Sequence, residues 1–194
     1  MKYKLVSLNE TQNFREVTKQ MDDIYGEQEH IPDHILKILS HKYPELFQVI
    51  YSNKELVGHL IVLPFNEVGL HKITDDENDE GDFELTDFNL DRNPESPVYF
   101  FVYSIYGKNI HASTHMIKQM CFGVKSYEKE VSSSSFIFAE CVSPEGVRLS
   151  EKLGLRLYHS YNFRGTDLHL YKTDLKNFGL IFSSLEKPSH QHQN

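Results

Sequence analysis

Side chains able to do chemistry are unevenly spread along the 194 residues. Histidine is abundant, and two pairs, His30/His34 and His111/His115, have the four-residue spacing that puts both rings on one side of a helix. Such a pair could share a metal ion. Zinc, however, wants three or four protein ligands, and neither a cysteine pair nor a well-spaced carboxylate completes either set, so no metal site is expected. The two cysteines, Cys121 and Cys141, lack Cys-x-x-Cys spacing and supply neither a disulfide framework nor a thiolate site, which suits a reducing compartment. A more suggestive group lies between Lys108 and Lys118. There Lys108, His111, His115 and Lys118 surround the small or hydroxylic Ala112, Ser113 and Thr114 at what reads as a helix start. Free N–H groups at a helix amino terminus hold anions, and small residues let an anion approach the backbone. The same residues also read as an ordinary helix start with a solvated basic face.

Those residues need elements to hold them. Tyr3 to Leu8 reads as a strand, followed by a helix capped by Asn9 or Thr11, with Phe14, Val17, Met21 and Ile24 on its buried side. Asp22, Asp23 and Glu27 give that helix an acidic face. A second helix follows Pro32, with Ile31, Ile35, Ile38 and Leu39 inward. Phe47 to Tyr51 and Leu56 to Leu63, joined by Ser52-Asn53-Lys54-Glu55, read as a hairpin, because Asn tolerates the left-handed backbone of a tight turn. Thr74 to Asp82 is too polar to pack and reads as a mobile loop, with strand structure over Phe83 to Leu90. Val98 to Ile105, apolar and β-branched or aromatic, reads as the central strand. A helix from His111 to Tyr127 then buries Met116, Ile117, Met120, Cys121 and Val124. Strand Phe136 to Cys141 leads into a helix with Ser143 as N-cap, Pro144 at its first position and Gly154 past its end. Strands Arg156 to Tyr161 and Leu168 to Lys172 follow. This order implies an α/β (α+β) fold, a mixed, mostly antiparallel central sheet flanked by helices.

Composition bounds the rest. With 39% hydrophobic and 25% charged residues, the chain suits one sizeable core. We expect a single domain over residues 1–173 with an acidic insertion at 74–96, then an extension and polar tail over 174–194. The net charge of −8 belongs almost wholly to that insertion: Asp75 to Glu95 carries −9, which leaves +1 for the rest. A pI near 5.7 without a Lys/Arg-rich run excludes a nucleic-acid backbone as the main partner. The longest apolar run, Leu60 to Leu63, is far below the ~20 residues that cross a bilayer, so no membrane partner is expected and the cytoplasm is the default location.

Three stretches resemble the GNAT superfamily of acyl-CoA-dependent N-acyltransferases. Glu55-Leu56-Val57-Gly58-His59-Leu60 is similar to the family's third-strand opening. Tyr103-Ser104-Ile105-Tyr106-Gly107-Lys108-Asn109 and the following helix resemble its fourth strand and pyrophosphate loop. Ala139 to Leu155, which contains Glu140-Cys141-Val142-Ser143-Pro144 and Glu151-Lys152-Leu153-Gly154, is similar to its fifth strand, next helix and Glu-Lys-x-Gly ending. The family's Gln/Arg-x-x-Gly-x-Gly/Ala loop is eroded here, since the loop is short and Gly107 is its one glycine.

The resemblance implies direct attack of an amine on an acyl-CoA thioester, most simply acetyl-CoA acting as cosubstrate, with no metal. An enzyme of this kind must accept a proton from the ammonium, stabilise an oxyanion and protonate the leaving thiolate. Carried over by position, Glu140 is the candidate base. The family's thiolate-protonating Tyr falls on Ser150, which could position a water, and Tyr158 or Tyr161 could supply a phenol from the next strand. Ser104 and Ile105 would hold the acyl arm. Lys108, Asn109, His111, Ala112, Ser113 and Thr114 would receive the pyrophosphate. Ser143 falls where the family's helix-opening Asn stands. The first two helices of such enzymes wall the acceptor site, which puts His30, His34 and the acidic face near substrate. Cys141 beside Glu140 raises a covalent acyl-cysteine route, but no activating base stands in register. The expected acceptor is an amine-bearing small molecule or a basic peptide, and a homodimer stays open. The lost glycines and Ser150 favour one rival, a catalytically inactive GNAT-like module that binds a ligand or protein. Another is an interaction protein that holds a basic partner with its acidic stretch.

Overall fold

The computed structural model describes residues 3–8, 14–25, 31–74, 83–91, 93, 95–163 and 165–178. Asn9 and Thr11 as caps, Glu27, His30, the loop expected between Thr74 and Asp82 and the tail beyond Phe178 lie outside the described residues.

Seven strands form one sheet: β1 (Tyr3–Ser7), β2 (Phe47–Ser52), β3 (Glu55–Phe65), β4 (Tyr99–Gly107), β5 (Phe136–Cys141), β6 (Arg156–Phe163) and β7 (Thr166–Asp174), in the spatial order β1-β2-β3-β4-β5-β7-β6. Every neighbouring pair is antiparallel except β4 and β5. The sheet is therefore mixed and mostly antiparallel, with the apolar β4 at its centre. Among the described residues, α1 (Phe14–Tyr25), α2 (Asp33–Lys42), α3 (Glu67–Thr74), α4 (Ile110–Ser126) and α5 (Pro144–Lys152) are placed around it.

Local chemistry explains the boundaries. The β2–β3 hairpin turns on Asn53 and Lys54, both left-handed with φ of 52° and 68°, as a two-residue turn matched to strand twist requires. Ser143 Oγ accepts the Gly146 N–H at the start of α5, and Gly154 takes φ of 82° beyond its end. Val17 and Met21 of α1 are buried, but Ile24 is 37% exposed; in α2, Ile35, Leu36 and Leu39 are buried and Ile38 is 42% exposed. Three helical residues fall about 60° short of a full turn, so a three-residue step carries Ile24 and Ile38 to the rim.

Two parts depart from the sequence reading. Helix α3 was not foreseen; Asn66 Oδ1 caps it by accepting the N–H groups of Val68 and Gly69. Phe83 to Leu90 is not a strand. Residues Leu85–Asp87 make a 3-10 turn, and the sheet contact here is a single bridge between Phe65 and Phe88. The buried Asp87 carboxylate accepts the Glu84 N–H at 2.7 Å and Lys72 Nζ at 2.8 Å, so local side-chain bonds displace an extended ladder.

The two faces of the sheet follow from alternation along β3, β4 and β5. Phe65 stacks on Phe88 and touches Phe101, while Tyr99 touches Phe136 and Phe138. On that same face His59 reaches Gln20 of α1, so we call it the α1 face. The opposite face carries α4, where Met116 lies against Gly58, and α5, where Ser150 meets Cys141. Leu175 and Phe178, beyond β7, fold back onto the core.

Candidate functional site

The parallel β4–β5 ladder runs from Tyr99 with Phe136 to Val102 with Ala139 and stops there. Beyond it Tyr103 to Gly107 of β4 and Glu140 and Cys141 of β5 diverge, while β4 stays paired to β3 and β5 to β7. A bulge helps to open the strands: Ile61 pairs with Ser104 and Val62 with Val102, so Tyr103 is the extra residue in β4. Over this stretch the backbone N–H and C=O groups of the two strands no longer bond to each other as a ladder. An extended amide-bearing chain can satisfy such groups.

On the α1 face of the splay stands Glu140. Burial pushes its carboxyl above the usual carboxylate range, against a hydrogen bond from Tyr161 Oη that pulls the other way. A carboxyl raised in this way accepts a proton more readily than a surface carboxylate. Tyr158 of β6 is on the same face, beside Phe138, which stands two residues before Glu140 in β5. Its ring is edge-on to Phe138 and lies 3.7 Å under Lys172 Nζ. Tyrosines three apart on a regular strand point to opposite faces; the β6 bulge between Leu157 and His159 lets both reach the α1 face.

On the α4 face, Cys141 Sγ and Ser150 Oγ are 3.1 Å apart and both residues are buried. Ser150 is therefore an interior group at the joint of β5 and α5 and not a helix-surface serine. Burial also raises the Cys141 thiol, which keeps it protonated and poorly nucleophilic at neutral pH.

The start of α4 is closed on itself. Only Lys108 and Asn109 separate it from β4. Asn109 Oδ1 accepts the N–H groups of His111 at 3.1 Å and Ala112 at 3.0 Å, and receives Tyr3 Oη at 3.2 Å. Ser113 N–H goes to Asn109 O, Ser113 Oγ donates to Gly107 O, and Thr114 Oγ1 donates to Ile110 O. A Cβ on Gly107 would fall 2.2 Å from Ser113 N, so glycine is what lets the helix seat so tightly on β4. Lys108 is exposed and paired with Glu55, His111 is exposed and Ala112 is buried. An anion here would have to displace the Asn109 cap. Ile105 is half-buried opposite Leu60, and the Ser143 hydroxyl is spent on its own cap.

One constellation escaped the sequence reading. His59 is fully buried, its Nδ1 2.7 Å from Gln20 Oε1 and its Nε2 2.7 Å from Ser104 Oγ. Burial lowers its pKa to about 4, so the ring is neutral at pH 7. The legible signal was a lone imidazole inside the apolar run of β3. His34 and Asp23 are exposed, and Asp22 is half-buried. Among the described residues no group of three His, Cys, Asp or Glu is arranged to hold a metal, and no helix is long and apolar enough to cross a membrane.

No family model and no curated protein matches the sequence. Among solved structures, the chain is similar to the loading GNATL domain of CurA from Lyngbya majuscula, with a TM-score of 0.62 and 10% identity over 91% of this chain and 100% of that one. Arabidopsis thaliana Naa50, solved with the bisubstrate analogue CoA-Ac-MVNAL, has a TM-score of 0.58 at 9% identity, covering 90% and 99%. The Drosophila melanogaster polyamine N-acetyltransferase, which forms N-acetylagmatine, has a TM-score of 0.56 at 8% identity, covering 89% and 100%. At these identities the likeness is one of fold.

Proposed function

The chain has the GNAT fold, and from that premise we propose that it is an N-acyltransferase moving an acetyl group from acetyl-CoA to a primary amine by direct attack. One observation carries the reading: the β4–β5 ladder stops at Val102 and Ala139, and a carboxyl raised by burial stands at the opening. In this scheme the thioester arm lies along the edge of β4 at Ser104 and Ile105, and the amine approaches from the α1 face. The amine nitrogen bonds to the carbonyl carbon, Glu140 accepts the ammonium proton, and the carbon–sulfur bond breaks. The thiolate then takes a proton from water positioned by Ser150 or from the phenol of Tyr158. Ser150→Ala and Tyr158→Phe separate these two sources, because only the true one lowers kcat.

The acceptor is a cationic amine or a basic peptide. Residues Asp75 to Asp82 carry six acidic side chains, and Phe83, the next residue, packs on Phe65 of the α1 face. Clustered negative charge near an acceptor site raises the local concentration of cations. A second reading, a catalytically inactive ligand-binding module, is favoured by the Asn109 cap, which occupies N–H groups that a diphosphate would use. Isothermal titration with acetyl-CoA followed by thiol release with a panel of primary amines separates the two. Binding with release supports the transferase, and binding without release supports the module.

A further inference from the structure

Near Glu140 the α1 face carries two cations that the scheme above leaves unused. Leu170 of β7 pairs with Glu140, and alternation from Leu170 puts Lys172 on the same face. Lys172 Nζ stands 3.7 Å from the centroid of the Tyr158 ring and 5.5 Å from that of Phe136. Arg156 of β6 is directly opposite Lys172 in register, so its side chain leaves the sheet on this face too. Like charges directly opposite on neighbouring strands destabilise the pair. Among the described residues neither cation forms an ion pair that would offset this. Asp174, two residues further along β7 on the same face, accepts the Asn177 amide at 2.9 Å.

Lys172 is half-buried, Arg156 is exposed, and Tyr158 is 49% exposed, so the two charges are open to a ligand from solvent. The floor that joins them to Glu140 is apolar. Phe138 is the register partner of Lys172, its ring edge-on to Tyr158. Lys172 is two residues along and one strand across from Glu140, about 7 Å by about 5 Å, and Arg156 is one strand further. We propose that Lys172 and Arg156 bind a carboxylate at the far end of the acceptor, which is therefore a dipolar amine: its ammonium meets Glu140, its methylene chain crosses Phe138, and its carboxylate meets the two cations. The inference rests on the transferase reading above and narrows its acceptor to an amine that also carries an anionic group. The Arg156 guanidinium offers a planar fork that matches a carboxylate, and Lys172 adds a compact charge. Tyr158 and Phe136 are positioning residues here, because their ring faces attract the Lys172 ammonium.

The test uses the full chain, acetyl-CoA and two amines of equal length, ε-aminocaproate and n-hexylamine, which differ by a carboxylate in place of a methyl group. In the wild-type protein kcat/KM for ε-aminocaproate should exceed that for n-hexylamine by about 10-fold, the low end for hydrogen bonds to charged groups. Lys172→Met and Arg156→Gln should each lower this ratio by about threefold, and together bring it close to one, whereas Lys172→Arg, which keeps the charge, should keep it. Lost packing alone would slow both amines alike and leave the ratio where it was. Where a variant fails to fold, the wild-type ratio across a salt series decides, because it should fall as the charges are screened. A wild-type ratio near or below one, a ratio indifferent to salt, or one that survives the double substitution overturns the proposal and leaves the transferase reading standing. Absence of transfer to both amines sinks the transferase reading and the carboxylate contact together.

Discussion

The two faces of the sheet handle their polar groups in opposite ways. On the α4 face, where a donor diphosphate would be expected, the protein satisfies itself: Asn109 caps two backbone N–H groups, Ser113 bonds Gly107, and Lys108 pairs with Glu55. On the α1 face the polar groups are held by one another across strands and helices. Glu140 is raised and touched by Tyr161, and Ser104 is oriented through His59 and Gln20. The contrast indicates where binding energy for each substrate must come from. In the proposed scheme the donor would be gripped chiefly by its extended arm along β4, and the acceptor by hydrogen bonds and charge.

The sharpest way to break this comparison is Glu140→Gln. It should lower kcat by about 100- to 1,000-fold, within the range for loss of a positioned base, and leave acetyl-CoA binding intact. Stopped-flow or thiol-release kinetics at saturating donor would show it, and a kcat near wild type would remove Glu140 from the scheme.

The next effect is on stability. The folded-state pKa of His59 is lowered from 6.5 to about 4, so its neutral form is favoured by folding. That contribution is complete above about pH 6.5 and is lost as pH falls toward 4, in total about 3 kcal/mol. Urea unfolding between pH 7 and pH 4.5 measures it, and His59→Phe should flatten the dependence.

Much of the fold was legible because its signals are local. Ser143-Pro144 and Gly154 bound a helix, Asn53 marks a turn, and the aromatic run at Tyr99 marks the centre of the sheet. Helix α3 was not legible because its one buried residue is Gly69, and the segment is held by the pairing of the half-buried Lys72 with the buried Asp87, a contact fifteen residues apart. The site divides in the same way. Glu140 follows from strand position, whereas its partner Tyr161 depends on the β6 bulge, and the two hydrogen bonds of His59 join residues 39 and 45 apart in sequence. Pairing across strands and bulges is set by tertiary packing, which alternation along one strand does not encode.

Two smaller effects sharpen the comparison further. Deleting Asp75 to Asp82 should raise the acceptor KM several-fold and flatten its salt dependence, with no change for the donor, because attraction between charges across solvent is screened and contributes about 1 kcal/mol or less. Kinetics across a salt series read it directly. Asn109→Ala removes a helix cap, which costs about 1 kcal/mol in thermal or urea unfolding. The same change releases the His111 and Ala112 N–H groups, so it should strengthen binding of CoA. A variant with lost stability and weaker CoA binding would show instead that the Asn109 side chain itself holds the donor.

The central claim is that the β4–β5 splay receives an acyl-CoA thioester. Isothermal titration of the full chain with acetyl-CoA tests it most directly. The account predicts one binding site per chain with a dissociation constant below about 1 mM, the upper end of ordinary substrate affinities. No detectable binding at millimolar acetyl-CoA would contradict it.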